Sequence, residues 1–247
     1  MKCITKIALA SLLLMATSVY AHEEEAEEEV VKPWEGTGEF GFVSTSGNTE
    51  STALNMKLNF VRTGERWRHR FTGTALMTSE NGSTDNERYT VEIQSDRSLT
   101  EKSWLFGAFR WDADKFGSYD PQLSLTSGYG RQLMKSEKHE LKGEIGAGYR
   151  KQEARVSGDT ESEFIGRFLL DDTWQVFTTT QWTNRLLVEA GSSNTFTQFN
   201  SGLSIAMNSK FAVKLGYEVR HNTDVPVGIE DSEKTDTISS VNLVYNF

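Results

Sequence analysis

Apolar and polar side chains alternate along most of the chain after residue 33. The clearest run spans Leu54 to Phe60, where Leu, Met, Leu and Phe are separated by Asn, Lys and Asn. Similar runs occupy segments 88–93, 141–150, 211–220 and 240–247. A period of two places successive side chains on opposite faces of a strand, and no helical stripe accompanies it. The pattern predicts an all-β protein whose strands have one apolar face and one polar or charged face.

Turn residues divide this alternating region into about twelve strands. The predicted ranges are 34–45, 49–63, 67–78, 87–97, 103–112, 121–133, 139–151, 162–171, 174–189, 195–207, 211–221 and 235–247. Most exceed the length of about five or six residues typical of globular strands, and a tilted strand needs about nine to eleven residues to cross a bilayer. The pattern therefore predicts a transmembrane antiparallel up-and-down β-barrel. Ten strands are the alternative, if the weakest segments, 162–171 and 174–189, are misassigned.

The connections between the predicted strands differ in length. Short links at 63–66, 171–173 and 208–210 alternate with longer polar segments at 79–86, 113–120, 152–161 and 222–234. Outer-membrane barrels have short periplasmic turns and longer outer loops, and an even strand count places both ends of the barrel in the periplasm. The links 46–48, 190–194 and 96–102 depart from this rule. Within the first of them, Gly47 and Asn48 tolerate the positive φ of a tight hairpin.

Aromatic residues recur at the ends of the predicted strands, where the lipid headgroups of a membrane would lie. The inner set comprises Trp34, Trp67, Trp104, Trp174, Phe211 and Phe247. The outer set comprises Tyr89, Trp111, Tyr149 and Tyr217. The terminal Phe247 with alternating apolar residues before it resembles the signal by which the barrel-assembly machinery recognises its clients. We therefore expect outer-membrane lipid and that machinery as partners.

The first 33 residues have a different composition. Lys2 and Lys6 precede an apolar stretch that ends in small residues at Ala21, which predicts a cleaved signal peptide over residues 1–21. An uncleaved anchor is the alternative. Residues 22–33 are dominated by glutamate and are expected to form an acidic periplasmic tether, with the barrel over 34–247. The expected location is the outer membrane of a Gram-negative bacterium.

Composition and charge exclude several classes of protein. After the first twenty residues, no apolar run has the length of about 20 residues that a transmembrane helix needs. The net charge of −9 argues against a nucleic-acid partner, because phosphate binding requires clustered Lys and Arg. The single cysteine, Cys3, lies within the predicted signal and before its apolar stretch, so neither disulfides nor a lipoprotein anchor are expected.

Three segments resemble one family of barrels: Trp34 to Phe60, Arg110 to Leu133, and Leu141 to Glu153. Their turn residues and their aromatic, Asp and Gly-Tyr-Gly repeats are similar to those of the salt-induced outer-membrane proteins, which are otherwise classed as a domain of unknown function. The resemblance covers essentially the whole chain after the signal. It implies an outer-membrane barrel linked to osmotic or salt stress, and it supplies no catalytic residues.

The residues that would support catalysis or metal binding are sparse. His221 with Asp224 and Asp231 on one outer loop has the chemistry to activate a water molecule, and outer-membrane hydrolase is the lower alternative. The pair Asp112 and Asp114 resembles the start of a calcium loop, but Phe116 stands where a ligand is needed. His22 lacks a second nitrogen or sulfur ligand at a fixed spacing. We therefore expect no enzyme activity, no metal and no cofactor.

The alternation assigns one set of charged residues to the lumen. The expected lining residues are Arg68, Arg70, Arg88, Glu92, Lys142, Glu144, Arg150, Arg167, Arg185, Lys214, Glu218 and Arg220, with Glu163 and Asp236 of the same parity. Barrels of about eight strands have packed interiors and those of about sixteen leave an aqueous channel. Twelve lies between, so a narrow channel is predicted, and a closed structural or adhesive barrel is the alternative. The sequence leaves the solute and the oligomeric state open.

Overall fold

The described residues form a closed barrel of twelve antiparallel strands in which each strand pairs with its neighbours in the chain. In this computed structural model the described residues are 34–45, 51–155, 157–224 and 234–247. The strands are β1 Trp34–Thr45, β2 Ser51–Thr63, β3 Trp67–Glu80, β4 Ser83–Thr100, β5 Ser103–Asp114, β6 Tyr119–Lys135, β7 His139–Ala154, β8 Thr160–Phe177, β9 Thr180–Ala190, β10 Thr195–Ala206, β11 Phe211–Asn222 and β12 Thr235–Asn246. The prediction of an all-β up-and-down barrel with twelve strands is confirmed.

The barrel closes where the first strand meets the last. β1 pairs with β12 from Thr37 opposite Asn246 to Phe40 opposite Leu243. Beyond these pairs, Gly36 and Phe247 exchange backbone hydrogen bonds of 3.3 and 3.0 Å. We call the end that carries Trp34 and Asn246 the inner end and the opposite end the outer end.

The outward face of the barrel is apolar around its middle. Leu125 on β6, Ile145 on β7 and Val241 on β12 leave 65%, 62% and 60% of their surface exposed. Their neighbours along each strand point inward and are mostly polar, as a period of two requires. No helix in the described part of the chain is long and apolar enough to cross a membrane.

The link expected at 96–102 is a two-residue turn, because β4 continues to Thr100. Three further details differ from the sequence-based prediction. The turn expected at 171–173 lies at 178–179, because Asp171 and Asp172 stay within β8 and their carboxylates bind partners on β9 and β7. The long outer loop expected at 79–86 is a two-residue turn, in which Asn81 and Gly82 adopt φ of 50° and 78°. Positive φ at both positions matches the twist of a hairpin, so the strands continue to the turn.

The third difference concerns Trp104, which does not belong to the inner aromatic girdle. Its indole points into the barrel and its Nε1 donates a hydrogen bond of 3.1 Å to Glu144 Oε1. Leu105 on the same strand faces outward, which fixes Trp104 inward by alternation. Gly130 on β6 leaves room for the ring, because a Cβ there would lie 2.2 Å from it. Trp34, Trp67, Trp174, Phe211 and Phe247 are exposed at the inner end as expected.

Several expectations lie outside the described residues. These are the signal peptide over 1–21, the tether over 22–33, the Gly47 and Asn48 turn, and Asp231.

Candidate functional site

The candidate site is the lumen, and the predicted lining residues lie on the strand face opposite the apolar belt. Within that set the structure distinguishes two degrees of burial. The buried members are Arg88, Glu144, Arg150, Arg167 and Arg220. The half-buried members are Arg68, Arg70, Glu92, Lys142, Arg185, Lys214 and Glu218.

A layer of side chains crosses the lumen at mid-height. Arg167 Nη1 on β8 lies 2.7 Å from Glu144 Oε2 on β7. Gln94 on β4 joins this pair, because its Nε2 donates to Glu144 Oε1 at 2.8 Å and its Oε1 accepts from Arg167 at 3.3 Å. The Arg167 guanidinium also lies 4.6 Å from the centre of the Phe106 ring. We call these residues, with Trp104, the central layer; every charge in it has a partner, as burial requires.

A second group of side chains lies above the central layer, toward the outer end. Phe196 on β10 is 2% exposed and packs with Leu169 and Leu187. The guanidinium carbons of Arg110 and Arg220 lie 5.2 and 5.1 Å from the centre of its ring.

One carboxylate holds both arginines of this group. Asp112 Oδ2 lies 2.6 Å from Arg110 Nη2 and 2.9 Å from Arg220 Nη2. Because Arg110 is on β5 and Arg220 is on β11, the carboxylate joins two opposite walls of the barrel. We call Phe196, Arg110, Arg220 and Asp112 the partition.

The partition separates two cavities of very different size. Below it, a cavity of about 10 Å³ lies among Glu92, Arg110, Arg167 and Glu189, and this volume holds at most one water molecule. Above it, the outer vestibule has a volume of about 180 Å³. Its lining residues are Asp112, Asp114, Phe116, Gly117, Ser118, Tyr119, Gln122, Arg220, Asn222 and Asp236. The lumen is therefore wide at its outer mouth and closed directly beneath.

The inner end of the lumen is polar and partly open. Its ion pairs join Arg68 to Asp96 at 2.9 Å, Arg185 to Asp171 at 3.2 Å, and Lys214 to Glu39 at 2.8 Å. In these pairs the side chains of Arg68, Arg185, Asp171 and Lys214 keep between 18% and 29% of their surface exposed. The inner end is consequently hydrated, in contrast to the central layer.

A buried ion pair fixes the short connection between β9 and β10. Arg150 is fully buried, and its Nη2 lies 2.5 Å from Glu163 Oε1 and donates to the carbonyl of Asn194. Glu163 in turn accepts hydrogen bonds from the backbone N–H and the hydroxyl of Ser193, both at 2.9 Å. The connection 191–194 is thus held against the outer mouth of the barrel.

At the rim of the vestibule, Lys115 lies in the connection between β5 and β6. Its Nζ donates a hydrogen bond of 2.5 Å to Glu87 Oε1, which raises the pKa of Lys115 above its ordinary value. The same connection contains Phe116, which lines the vestibule.

Sequence reasoning missed several of the lumen residues that the structure brings together. Gln94, Asp96 and Arg110 have the inward parity of the predicted set, so alternation alone was a sufficient signal for them. Asp112 was placed at the end of a predicted strand and considered as a calcium ligand, and Asp171 was assigned both to the end of a strand and to the turn after it. In the structure both lie within strands, and arginines on neighbouring or opposite strands pair with their carboxylates.

The residues considered for catalysis and metal binding have structural partners. His221 Nδ1 lies 2.8 Å from the hydroxyl of Thr235, and the backbone N–H of Asp224 donates to Asn194. The carboxylates of Asp112 and Asp114 do not converge on a shared cation site. Their Oδ2 atoms face the Arg220 guanidinium, at 2.9 and 3.8 Å. Within the described ranges, no group of three or more His, Cys, Asp or Glu side chains is placed to hold a metal ion.

A family model described as protein of unknown function, DUF481, matches residues 38–247. The chain belongs to this family. The match confirms the family of unknown function to which the three sequence segments pointed. A relative, the uncharacterised protein YdiY of Escherichia coli (strain K12), is 29% identical over 215 residues, which cover 87% of this chain and 84% of that protein.

Solved structures with similar folds include outer-membrane barrels. The COG4313 outer membrane channel from Pseudomonas putida F1 is 12% identical, with 91% of this chain and 99% of that chain covered and a TM-score of 0.48. The translocator domain of the autotransporter NalP from Neisseria meningitidis is 11% identical, with 89% and 90% covered and a TM-score of 0.47. The NanC porin is 11% identical, with 86% and 97% covered and a TM-score of 0.44.

Proposed function

We propose that this DUF481 protein is a narrow channel for small ions in the outer membrane of a Gram-negative bacterium. The observation that carries the proposal is the division of the lumen. Charged side chains line its inner end, a vestibule of about 180 Å³ opens at its outer end, and the partition and the central layer lie between them. Most of the side chains in these two layers are charged or polar, and rings of charged side chains are one of the ways in which channels line an ion pathway.

The apolar belt supports a membrane location. Leu125, Ile145 and Val241 belong to a set of exposed large apolar residues that recurs on strands all around the barrel, and contiguous exposed apolar surface marks a membrane or protein contact. Removing one such side chain from water is worth roughly 1.5–3 kcal/mol, so a belt around the whole barrel requires an apolar surrounding. Lipid chains supply it. Delivery to the outer membrane would use the predicted signal peptide over 1–21, with residues 22–33 left in the periplasm.

The last strand supports assembly by the barrel-assembly machinery. Phe247 is exposed at the inner end, and its ring lies 5.4 Å from that of Phe60 and 5.9 Å from that of Tyr245. An accessible terminal aromatic beside the closing seam is what a recognition step before closure would need. The link to osmotic or salt stress rests on the resemblance alone, and transcript levels measured at two salt concentrations test it.

A closed structural or adhesive barrel is the second candidate, and the small volume beneath the partition favours it. A cavity of about 10 Å³ does not pass a hydrated ion unless side chains move. The two candidates therefore differ in whether the partition and the central layer open.

Planar-bilayer recording of the refolded barrel tests the proposal. The channel predicts discrete conductance steps, and Arg88→Gln is expected to shift the reversal potential toward cation preference, because it removes a lumen cation that lies 3.6 Å from Glu218. Arg131→Gln is the matched control, since Arg131 is exposed on the outward face. No conductance at any voltage, in the wild type and in both variants, would support the closed barrel.

A further inference from the structure

The inner half of the lumen, from the central layer to the inner end, is open along one wall of the barrel. On β4 to β8 many of the inward side chains are buried, among them Gln94, Phe106, Glu144, Ile165 and Leu169. On β2, β3 and β10 the inward side chains are short and polar and stay half-buried, among them Asn55, Asn59, Thr72, Thr74, Asn200 and Ser204. Because inward side chains have only the lumen beside them, their exposed surface faces lumen water. Small solutes therefore reach this wall.

Two basic residues on this wall lack an anionic partner. Lys57 on β2 and Arg70 on β3 point inward and are half-buried. Neither side chain forms an ion pair or donates a hydrogen bond to any residue that the structure describes. The other lumen cations each have a carboxylate oxygen within 3.6 Å; they are Arg68, Arg88, Arg110, Lys142, Arg150, Arg167, Arg185, Lys214 and Arg220.

The carboxylate opposite Lys57 already has other partners. Glu39 faces Lys57 across the β1–β2 pair. Its Oε1 accepts a hydrogen bond of 2.8 Å from Lys214 Nζ, and its Oε2 lies 3.5 Å from Asn242 Nδ2. Lys57 therefore contributes a positive charge that this wall does not neutralise.

The acidic residues near Arg70 are also occupied. Asp96 Oδ2 accepts hydrogen bonds of 3.1 and 2.9 Å from Arg68, and Asp171 Oδ2 lies 3.2 Å from Arg185 Nη1. The neighbour of Arg70 on β4 is Gln94, which is uncharged and belongs to the central layer. A half-buried cation without an anion is unfavourable, because it has lost part of its hydration. Lys57 and Arg70 thus point to an anion that enters from the lumen water.

We propose that the inner half of the lumen binds a small organic anion through carboxylate groups, with Lys57 and Arg70 as the cationic residues. A guanidinium matches a carboxylate with two parallel N–H···O bonds, and such charge-assisted bonds are about twice as strong as neutral ones. In the β2–β3 register, the hydrogen-bonded pair Asn59 and Thr72 lies between Lys57 and Arg70 and adds polar groups. The inference names the ion class that the proposed channel favours, and for that role it rests on the proposed function.

Two sources supply carboxylates at this end of the barrel. One is a free solute, and the other is the chain itself, because residues 23–25 and 27–29 are glutamates. The five residues from position 29 to Trp34 span at most about 18 Å. That length is comparable to the depth of Lys57, which lies opposite Glu39 in the β1–β2 register. The chemistry is the same for both sources, and the experiment separates them.

Isothermal titration calorimetry of the full barrel in detergent tests the site with two probes of equal length. Succinate carries two carboxylates, and succinamide is its uncharged counterpart. Succinate is expected to bind with a dissociation constant of about 1 mM or tighter, and succinamide is expected to give no heat at that concentration. Both probes are titrated into the wild type and into a variant that carries Glu→Gln at positions 23–25 and 27–29.

The glutamine variant separates the two sources. Equal succinate binding by the two proteins supports the site with a free solute as its ligand. Tighter binding by the variant supports the site with the chain's own glutamates as competitors. Equal heat from succinate and succinamide, or no heat from succinate in either protein, would overturn the proposal.

Two substitutions and a control locate the binding, in whichever of these proteins binds succinate more tightly. Lys57→Gln and Arg70→Gln are each expected to weaken succinate binding about tenfold or more, because each removes a charged donor. Neither substitution breaks an ion pair among the described residues, so both variants are expected to fold. Arg62→Gln is the matched control, since Arg62 is also on β2 but faces outward, beside the ring of Trp34. Equal weakening in Arg62→Gln and Lys57→Gln would also overturn the proposal.

The calorimetric result is independent of conductance. A barrel that binds succinate and does not conduct overturns the channel and leaves the binding site. A barrel that conducts and does not bind succinate, with or without the glutamates, overturns the site and leaves the channel.

Discussion

Arg220 Nη2 lies 2.9 Å from Asp112 Oδ2, although β11 and β5 are on opposite walls of the barrel. The pair spans the lumen and, with Arg110, places two guanidinium groups against the ring of Phe196. The closure of the lumen between the vestibule and the small cavity thus depends on one carboxylate and one aromatic ring. A single substitution in this group is therefore expected to change the width of the constriction.

Phe196→Ala is expected to raise the single-channel conductance of the barrel. The ring packs against the guanidinium groups of Arg110 and Arg220, and its removal frees these two side chains to move away from the path between the vestibule and the cavity beneath. Planar-bilayer recording measures the change. The same substitution should destabilise the barrel by about 3–5 kcal/mol, the usual cost of truncating a buried Phe.

Phe199→Ala is the control for this prediction, because Phe199 lies on the same strand, three residues away and therefore on the other face. It should leave the conductance unchanged. A Phe196→Ala barrel that conducts no better than Phe199→Ala would show that this ring does not limit the path.

Arg150→Leu is expected to destabilise the barrel by about 3–5 kcal/mol. Arg150 is fully buried, and its loss leaves the Glu163 carboxylate without its cation at 2.5 Å. Equilibrium unfolding by urea in lipid vesicles measures the free energy. Lys115→Met removes a cation from an exposed pair and should leave the free energy of unfolding nearly unchanged, because solvent screens such a pair. Equal costs for the two variants would contradict the assignment of Arg150 to a buried anchor.

An arginine placed on the outward face should be costly at mid-membrane and tolerated near the edge. Leu125 lies at the middle of β6 and Leu133 lies near its inner end, and both are exposed. Leu125→Arg should lower the free energy of unfolding in vesicles by about 2–4 kcal/mol and Leu133→Arg by about 0–1 kcal/mol, because the cost depends on depth in the bilayer. A barrel in water predicts no such difference, so similar small effects would argue against the membrane location.

The inward orientation of Trp104 predicts a spectroscopic difference among the tryptophans. In variants that retain one tryptophan, brominated lipid should quench the fluorescence of Trp67 and Trp174, which are exposed at the inner end. It should leave Trp104 largely unquenched, because that indole donates to Glu144 inside the barrel. Strong quenching of Trp104 would show that its indole faces the lipid, which would contradict the inward orientation.

The outward face was the part of the fold that the sequence predicted best. Leu54, Met56 and Leu58 lie on this face, as their alternation with polar residues predicted. The lengths of the predicted strands were sufficient to indicate a barrel that spans a membrane. The errors arose where residue type competed with alternation. Consecutive acids at 171 and 172 suggested a turn, and a tryptophan at 104 suggested a girdle. In the structure Asp171 and Trp104 have partners inside the barrel, and Asp172, on the outward face of β8, accepts a hydrogen bond from Asn184.

The sequence predicted which residues of the candidate site face the lumen, but it did not predict which of them contact one another. The sequence identified Arg88, Arg167 and Arg220 as inward facing, but it contained no signal that Asp112 would hold Arg110 and Arg220 together between two cavities. Glu92 and Arg185 meet at 2.6 Å although 93 residues separate them in the chain. Such contacts form only between strands that closure brings opposite each other.

The sequence by itself determined the strand architecture and the character of the two faces, because a period of two is a local property of an extended chain. Only the tertiary structure decided which charges meet in the lumen and where it is closed. Those contacts depend on the register of every strand pair and on the point at which β1 meets β12, and a shift of one residue at any pair would move the partners apart.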